Sequence, residues 1–224
     1  KSKGLSFNGS TVVISGSGNV AIYATEKAVE LGAKVVALSD SAGYIHDPEG
    51  IDLEAVKELK EVKRKRINEY LKYRPNAVYT EGCNGIWNIP CDIALPCATQ
   101  NEIYLDSAIE LVKNGCWLVA EGANMPTTSD AMKYFKDHNV LFGPGKAANA
   151  GGVTVSGLEM TQNATFQSWS FEEVDQKLHH IMKKIFKRCH EASVTYTGRP
   201  DDLVTGANIA GFMKVYQAML QQGV

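Results

Sequence analysis

The sequence predicts an α/β fold: a doubly wound, mostly parallel sheet with helices on both faces and a helical C-terminal extension. Three observations predict it. Apolar strand-like runs alternate with helical patterns from Val12 to Phe142. The stretch Val12–Val20, VVISGSGNV, joins the first such run to a helix through a glycine turn. Beyond Gly143 three helical stretches follow without another convincing strand.

The first element is the β-branched run that starts at Val12. With Ala21 its continuation spells GSGNVA, which fits the G-x-G-x-x-G/A fingerprint of a dinucleotide-binding, Rossmann-type strand–turn–helix. Gly16 permits the tight turn, Gly18 lets the backbone approach a pyrophosphate, and Ala21 lets helix and strand pack closely. The diphosphate then rests on the unpaired N–H groups of the helix start, so Ser15, Gly16, Ser17, Gly18, Asn19 and Val20 are candidate cofactor-binding residues. Val20, Ala21, Ala24, Ala28, Val29 and Leu31 repeat at helical spacing up to Gly32.

A second buried strand, Lys34–Leu38, ends at Ser39-Asp40-Ser41. An acid at that strand tip is placed to meet a ribose. Asp52–Leu71 then reads as one long, charged helix. Strand-like runs follow at Ala77–Tyr79, Asp92–Leu95, Trp117–Ala120 and Val140–Phe142, with helices at Tyr104–Lys113 and Ser129–Asp137 between them. The closing helices are expected near Asn149–Gln162, Ser170–Ser193 and Asp201–Gln221. Residues 1–200 are thus assigned to the nucleotide-binding domain, and 201–224 to a C-terminal helix that packs away from the sheet.

Composition narrows the function classes. With 224 residues, 44% apolar, 21% charged and a net charge of −2, the chain has the profile of a globular protein without a basic face for nucleic acid. Its apolar runs are strand-sized, which predicts no membrane span. The five cysteines show no C-x-x-C or zinc spacing and read as reduced thiols, consistent with a cytoplasmic setting. Cys97, beside a candidate cofactor loop, is a candidate for reaction with thiol reagents. The five histidines form no ligand pattern, and His179-His180 cannot share one helix face, so no metal site is expected. The chain opens on KSKGLSFNGS without Met, which reads as a segment of a longer protein.

Three further segments lie at the carboxyl ends of predicted strands, the edge where open α/β sheets bind ligands. They are PCATQN (Pro96–Asn101), EGANMPTT (Glu121–Thr128) and GPGKAANAGGVTVSG (Gly143–Gly157). Together with GSGNVA, SDS and GANIAGF (Gly206–Phe212), they closely resemble the cofactor domain of the glutamate dehydrogenases, within the wider glutamate, leucine, phenylalanine and valine dehydrogenase family. The resemblance covers essentially the whole chain.

That resemblance implies oxidative deamination of L-glutamate to 2-oxoglutarate and ammonia, and the reverse, with a nicotinamide cofactor, by a parent enzyme that is a homohexamer. It also implies a preceding substrate domain that carries the catalytic lysines and the acid–base aspartate, toward which helix 201–224 packs. No catalytic residue is therefore assigned here, and the isolated segment is expected to bind cofactor but be essentially inactive. By resemblance Ala98, Thr99 and Gln100 lie near the nicotinamide ribose, and Gly122, Ala123 and Asn124 near the carboxamide. Asn149 reaches the cofactor or the substrate, while Gly152, Val153 and Ser156 line the substrate side-chain pocket. Asn124 and Asn149 can equally be loop caps, and Ser156 an ordinary helix residue. Lys146 reads as a surface lysine.

The choice of cofactor turns on the second strand tip. Asp40 alone favours NAD, because a carboxylate repels a 2′-phosphate. Ser39 and Ser41 offer hydroxyls, however, and LKEVKRKRI (Leu59–Ile67) follows in the helix. In NADP-using members a lysine and an arginine from that helix face the 2′-phosphate, and their matches are Lys60 and Arg66. NADP is the favoured cofactor. A leucine, valine or phenylalanine dehydrogenase, or a non-catalytic nucleotide-binding module, are the alternatives.

Overall fold

In the computed structural model the described residues are 4–223; the opening Lys1-Ser2-Lys3 and the final Val224 lie outside them. The chain divides into two units, one through Leu141 and one from Phe142 onward.

The first unit carries β1 to β6 of a sheet with strand order β4-β3-β2-β1-β5-β6-β7. The strands of this sheet are β1 (Thr11–Ile14), β2 (Lys34–Ser39), β3 (Gly43–His46), β4 (Val78–Glu81), β5 (Ile93–Leu95), β6 (Leu118–Ala120) and β7 (Leu141–Gly143). β1 pairs in parallel with both β2 and β5, and β5 with β6. Helix α1 (Asn19–Glu30) links β1 to β2 in one direction along the sheet. Helices α3 (Leu105–Lys113) and α4 (Ser129–Asp137) link β5 to β6 and β6 to β7 in the other. Because such crossovers are right-handed, reversing direction at β1 sends the two sets of helices to opposite faces. The predicted doubly wound sheet is therefore present, with its switch point between β1 and β5.

Burial follows the pattern that a sheet covered on both faces demands. Val12, Val13 and Ile14 are all inaccessible, as are Leu38, Ile45 and Ile93. Ala21, Ile22 and Ala28 of α1 pack into the same core as Val56, Leu59, Ile67 and Tyr70. Ala108 and Leu111 of α3, and Ala131 and Phe135 of α4, are also fully buried.

The structure departs from the sequence expectation in two places. Strand β3 was not anticipated; it runs antiparallel to β2 and β4, so Ser39-Asp40-Ser41 belongs to a hairpin turn closed by Asp40 N–H to Gly43 O at 2.8 Å. A Cβ at Gly43 would lie 2.2 Å from Thr80 O, a demand set by a strand 37 positions away and invisible locally.

The second departure is the expected helix Asp52–Leu71, which is broken. It starts as α2 (Leu53–Lys57), capped by Asp52, widens into a π turn over Glu58–Val62, and resumes only as a 3₁₀ turn at Ile67–Lys72. Lys63–Arg66 is four consecutive cations, Arg64 is left-handed at φ 51°, and Lys65 N–H reaches back to Leu59 O. Like-charge crowding disfavours continued helix there, and Asp40 captures the Ile67 N–H that the helix would otherwise have used.

The second unit is helical: α5 (Gly145–Ala148), α6 (Ala150–Thr165), α7 (Phe171–Thr197) and α8 (Leu203–Gln222). Ser170 and Glu173 form a reciprocal capping box that starts α7, and Asp202 caps α8 through Thr205 N–H. α7 and α8 approach closely at Gly206, where a Cβ would lie 2.0 Å from Cys189 O. Beside it the fully buried Ser193 hydroxyl is shared between Arg199 O and Asp202 O.

Candidate functional site

At the switch point, three loops from the carboxyl ends of β1, β5 and β6 are laced together. Gly16 has φ 88°, and a Cβ on it would stand 3.1 Å from Cys97 O and 3.2 Å from Ala98 Cα. It is thus required both by its backbone conformation and by the approach of the β5 loop. Ser15 is buried, and its Oγ accepts from Cys97 N–H at 2.9 Å. The third loop joins through Pro96 O, which accepts from Gly122 and Ala123 N–H at 2.9 and 3.0 Å. Gly122 is tight as well, since a Cβ would meet Cys97 Sγ at 2.6 Å and Val20 Cγ1 at 3.1 Å.

Against these close contacts, Gly18 borders open space, with nothing within 4 Å of an added Cβ. It is the N-cap of α1 and no side chain caps that helix. Gly18, Asn19, Val20, Ala98, Thr99, Gln100 and Asn124 are exposed around it, while Ser17 is buried. An uncapped helix start facing open space beside an obligate glycine is suited to an anionic group. The fingerprint residues and the two later loops are therefore brought together within one unit.

The loops after β5 and β6 also hold each other. Asn101, Glu102 and Ile103 donate to Met125 O and Pro126 O, and Ile103 bridges Thr127 in parallel. Thr127 Oγ1 is the one buried side-chain polar atom without a hydrogen-bond partner among the described residues. Sequence reasoning missed Glu102, whose Oε1 accepts from Ala98 and Thr99 N–H at 3.1 and 3.3 Å. The signal was available: an acid three and four positions after two loop amides is placed to accept from both. Burial pushes the Glu102 carboxyl above its ordinary range, against the lowering effect of hydrogen bonds from Ser15, Ala98 and Thr99. Burial, with the neighbouring Glu102 charge, pushes the Cys97 thiol up to about 12. A buried thiol pushed up in this way is a poor nucleophile, which argues against a reactive Cys97.

At the second strand tip Asp40 has a structural occupation. Its carboxylate accepts from Ala42 N–H at 2.8 Å and from Ile67 N–H at 3.0 Å, one on each oxygen, and its side chain is 8% exposed. Ser39 is also committed, its Oγ accepting from Gly16 N–H at 2.8 Å. Ser41 is exposed, and Arg66 Nη1 donates to its Oγ at 2.6 Å while standing 3.9 Å from Asp40 Oδ2. Lys60 is not on one helix with Arg66: it lies in the π turn and donates to Lys65 O at 3.0 Å, bracing the basic segment. Asp40→Ala strands the partly buried Ile67 N–H and is expected to cost about 2 kcal/mol in denaturation. Asp40→Asn keeps an acceptor and should cost less; equal losses would show that charge rather than hydrogen bonding holds the turn.

In the second unit, Asn149 joins α5 to α6, and Gly152, Val153 and Ser156 follow it at spacings that put all four on one helix face. Gly152, Val153 and Ser156 are exposed, and no side chain caps the α6 N-terminus. Lys146 is exposed and its ammonium donates to Asn208 Oδ1 in α8. Among the described residues no group of three or more His, Cys, Asp or Glu side chains gathers for a metal ion, and no helix is long and apolar enough to cross a membrane.

A family model described as Glutamate/Leucine/Phenylalanine/Valine dehydrogenase matches residues 1–223. The chain belongs to this dehydrogenase family. It is 52% identical over 225 residues to an NADP-specific glutamate dehydrogenase of Helicobacter pylori (strain J99), covering 98% of this chain and 50% of that protein. It is 55% identical over 230 residues to a glutamate dehydrogenase of Bacteroides thetaiotaomicron, covering 100% and 50%. The crystal structure of Plasmodium falciparum glutamate dehydrogenase superposes with a TM-score of 0.92 at 51% identity, over 96% of this chain and 46% of that one. The chain spans about half the length of the curated relatives it matches.

Within a family whose members are dehydrogenases, the switch-point loops fit a nicotinamide dinucleotide. Gly18 leaves the space, α1 presents its uncapped end, and Ser41 with Arg66 adds a cation and a hydroxyl at the tip of β2.

Proposed function

We propose that this chain is the cofactor-binding half of an NADP-dependent glutamate dehydrogenase. The parent protein would interconvert L-glutamate with 2-oxoglutarate and ammonia, as a cytoplasmic homohexamer. The bound cofactor would supply the hydride acceptor or donor. Ser15–Val20 would hold its pyrophosphate, Ala98–Gln100 and Gly122–Asn124 its nicotinamide half, and Asn149, Gly152, Val153 and Ser156 the substrate side. Proton-transfer groups would come from the substrate domain, so this half alone would bind cofactor without turning over. The exposure of Phe212, Val215 and Leu220 on α8 supports a C-terminal helix that packs against that domain.

The observation that carries the cofactor preference is the Arg66–Ser41 pair beside an Asp40 whose oxygens are already occupied. A carboxylate so engaged contributes little toward ribose hydroxyls, whereas an exposed guanidinium is matched to a phosphate. NADP-specific relatives at 52% identity support the same preference. In fluorescence titration the chain is expected to bind NADPH at least about tenfold tighter than NADH, a difference of about 1.4 kcal/mol. Arg66→Ala should remove that preference and leave NADH affinity unchanged, and Lys60→Ala, which only loosens the segment, should reduce it less. Equal or tighter binding of NADH by the unaltered chain would overturn the preference. Binding of neither nucleotide would overturn the site.

A further inference from the structure

We propose that Glu102 is a positioning residue for the cofactor: its carboxylate holds the Ala98 and Thr99 amides, and with them the segment through Gln100, in the conformation that meets the nicotinamide half, and its protonation weakens that hold. This rests on the dinucleotide site proposed above. The segment is strung between two fixed ends. At one, Cys97 N–H is held by the buried Ser15 Oγ. At the other, the Glu102 main chain is pinned on both sides, its N–H to Pro126 O at 2.7 Å and its carbonyl to the buried Trp87 Nε1 at 3.2 Å. Between them Ala98, Thr99 and Gln100 are exposed, and the amides of Ala98 and Thr99 are directed to Glu102 Oε1.

The Ser15 hydroxyl that holds Cys97 N–H also favours the charged form of this carboxylate, so Ser15 and Glu102 act on the two ends of the same short segment. Charge-assisted acceptance is directional and roughly twice as strong as acceptance by a neutral oxygen, so it weakens when the acceptor is neutralised. Burial makes that neutralisation occur at a higher pH than for an ordinary glutamate. Cys97 interacts with Glu102, and its thiol stays protonated up to about 12 and so does not compete in the acidic range. The ionised form holds the loop more tightly, so cofactor affinity is level where Glu102 is charged and falls a few-fold as acidification protonates it.

The test is calorimetric titration of the chain with NADP+ and, separately, with adenosine 2′,5′-bisphosphate, which lacks the nicotinamide half. Glu102→Ala is expected to weaken NADP+ about tenfold or more, the loss expected when hydrogen bonds to a charged group are removed, and to leave the bisphosphate unchanged. Glu102→Gln, which keeps an amide oxygen for Ala98 and Thr99, should bind NADP+ within a few-fold of the unaltered chain near neutrality. It should lack the extra acid-side loss that the unaltered chain shows. The 2′-phosphate titrates near pH 6, so the readout is the difference between these two proteins. Equal weakening of both ligands by Glu102→Ala would make Glu102 a general support and overturn the proposal. So would NADP+ binding by Glu102→Ala at full strength, or the same acid-side loss in Glu102→Gln. Failure of the unaltered chain to bind either ligand would instead overturn the dinucleotide site itself, and this inference with it.

Discussion

Gly206→Ala is expected to destabilise the helical unit by about 3 kcal/mol, the upper end of the cost of overpacking a close-fitting contact. The added Cβ would lie 2.0 Å from Cys189 O and 3.0 Å from Ser193 Cβ, and the first of these is backbone that cannot rotate away. Relief requires α8 to slide on α7, which breaks the Ser193 hydrogen bonds to Arg199 O and Asp202 O. Gly211→Ala, on the same helix, should do the opposite. Nothing lies within 4 Å of its Cβ, so the gain in helix propensity, up to about 1 kcal/mol, goes unopposed. Thermal melting checks the pair, with roughly 2–4 °C per kcal/mol for a chain of this size. Shifts of the same sign at the two positions would contradict the close helix contact.

The corresponding substitution in the nucleotide loop, Gly16→Ala, should combine instability with loss of binding. The left-handed φ of 88° costs an alanine about 1–2 kcal/mol. Its Cβ would also press on Cys97 O and Ala98 Cα, moving the β5 loop away from the glycine turn. NADPH affinity is expected to fall by well over tenfold, more than about 1.4 kcal/mol. Gly18→Ala separates the two effects. Gly18 has φ −87° and open space around it, so alanine should leave melting nearly unchanged while its methyl stands where the pyrophosphate is proposed to approach. A Gly18→Ala chain that binds NADPH at full strength would contradict that placement.

Much of the architecture is written in local patterns. The run before Gly16 could form a buried strand because Val12, Val13 and Ile14 are apolar and β-branched. Helices α3 and α4 were legible as helical stretches with a polar or acidic start, and Ser129–Asp137 was bounded to the residue. The family-specific loops were equally legible, because each sits directly after a strand and the chain order alone puts them on the sheet edge.

What could not be read depended on partners far away in the sequence. Strand β3 is short, and only pairing with β2 and β4 makes it a strand. The helix expected over Asp52–Leu71 had adequate local propensity. It lost to a crowded run of cations and to an Asp40 carboxylate 27 residues earlier. The roles of acidic residues shifted for the same reason. Asp40 was read from the sequence as a ribose ligand, and in the fold its two oxygens accept from Ala42 and Ile67 N–H; Glu102 was overlooked although it accepts from Ala98 and Thr99 N–H.

The sequence by itself determined the alternation of strands and helices, the glycine turn and the family, all of which rest on residue type and spacing along the chain. Only the tertiary structure decided which polar groups are already spent on the fold and which are left to meet a ligand. A hydrogen bond between Gly16 and Ser39, or between Ile67 and Asp40, joins residues 23 and 27 positions apart, and no local pattern records where a folded chain will bring them.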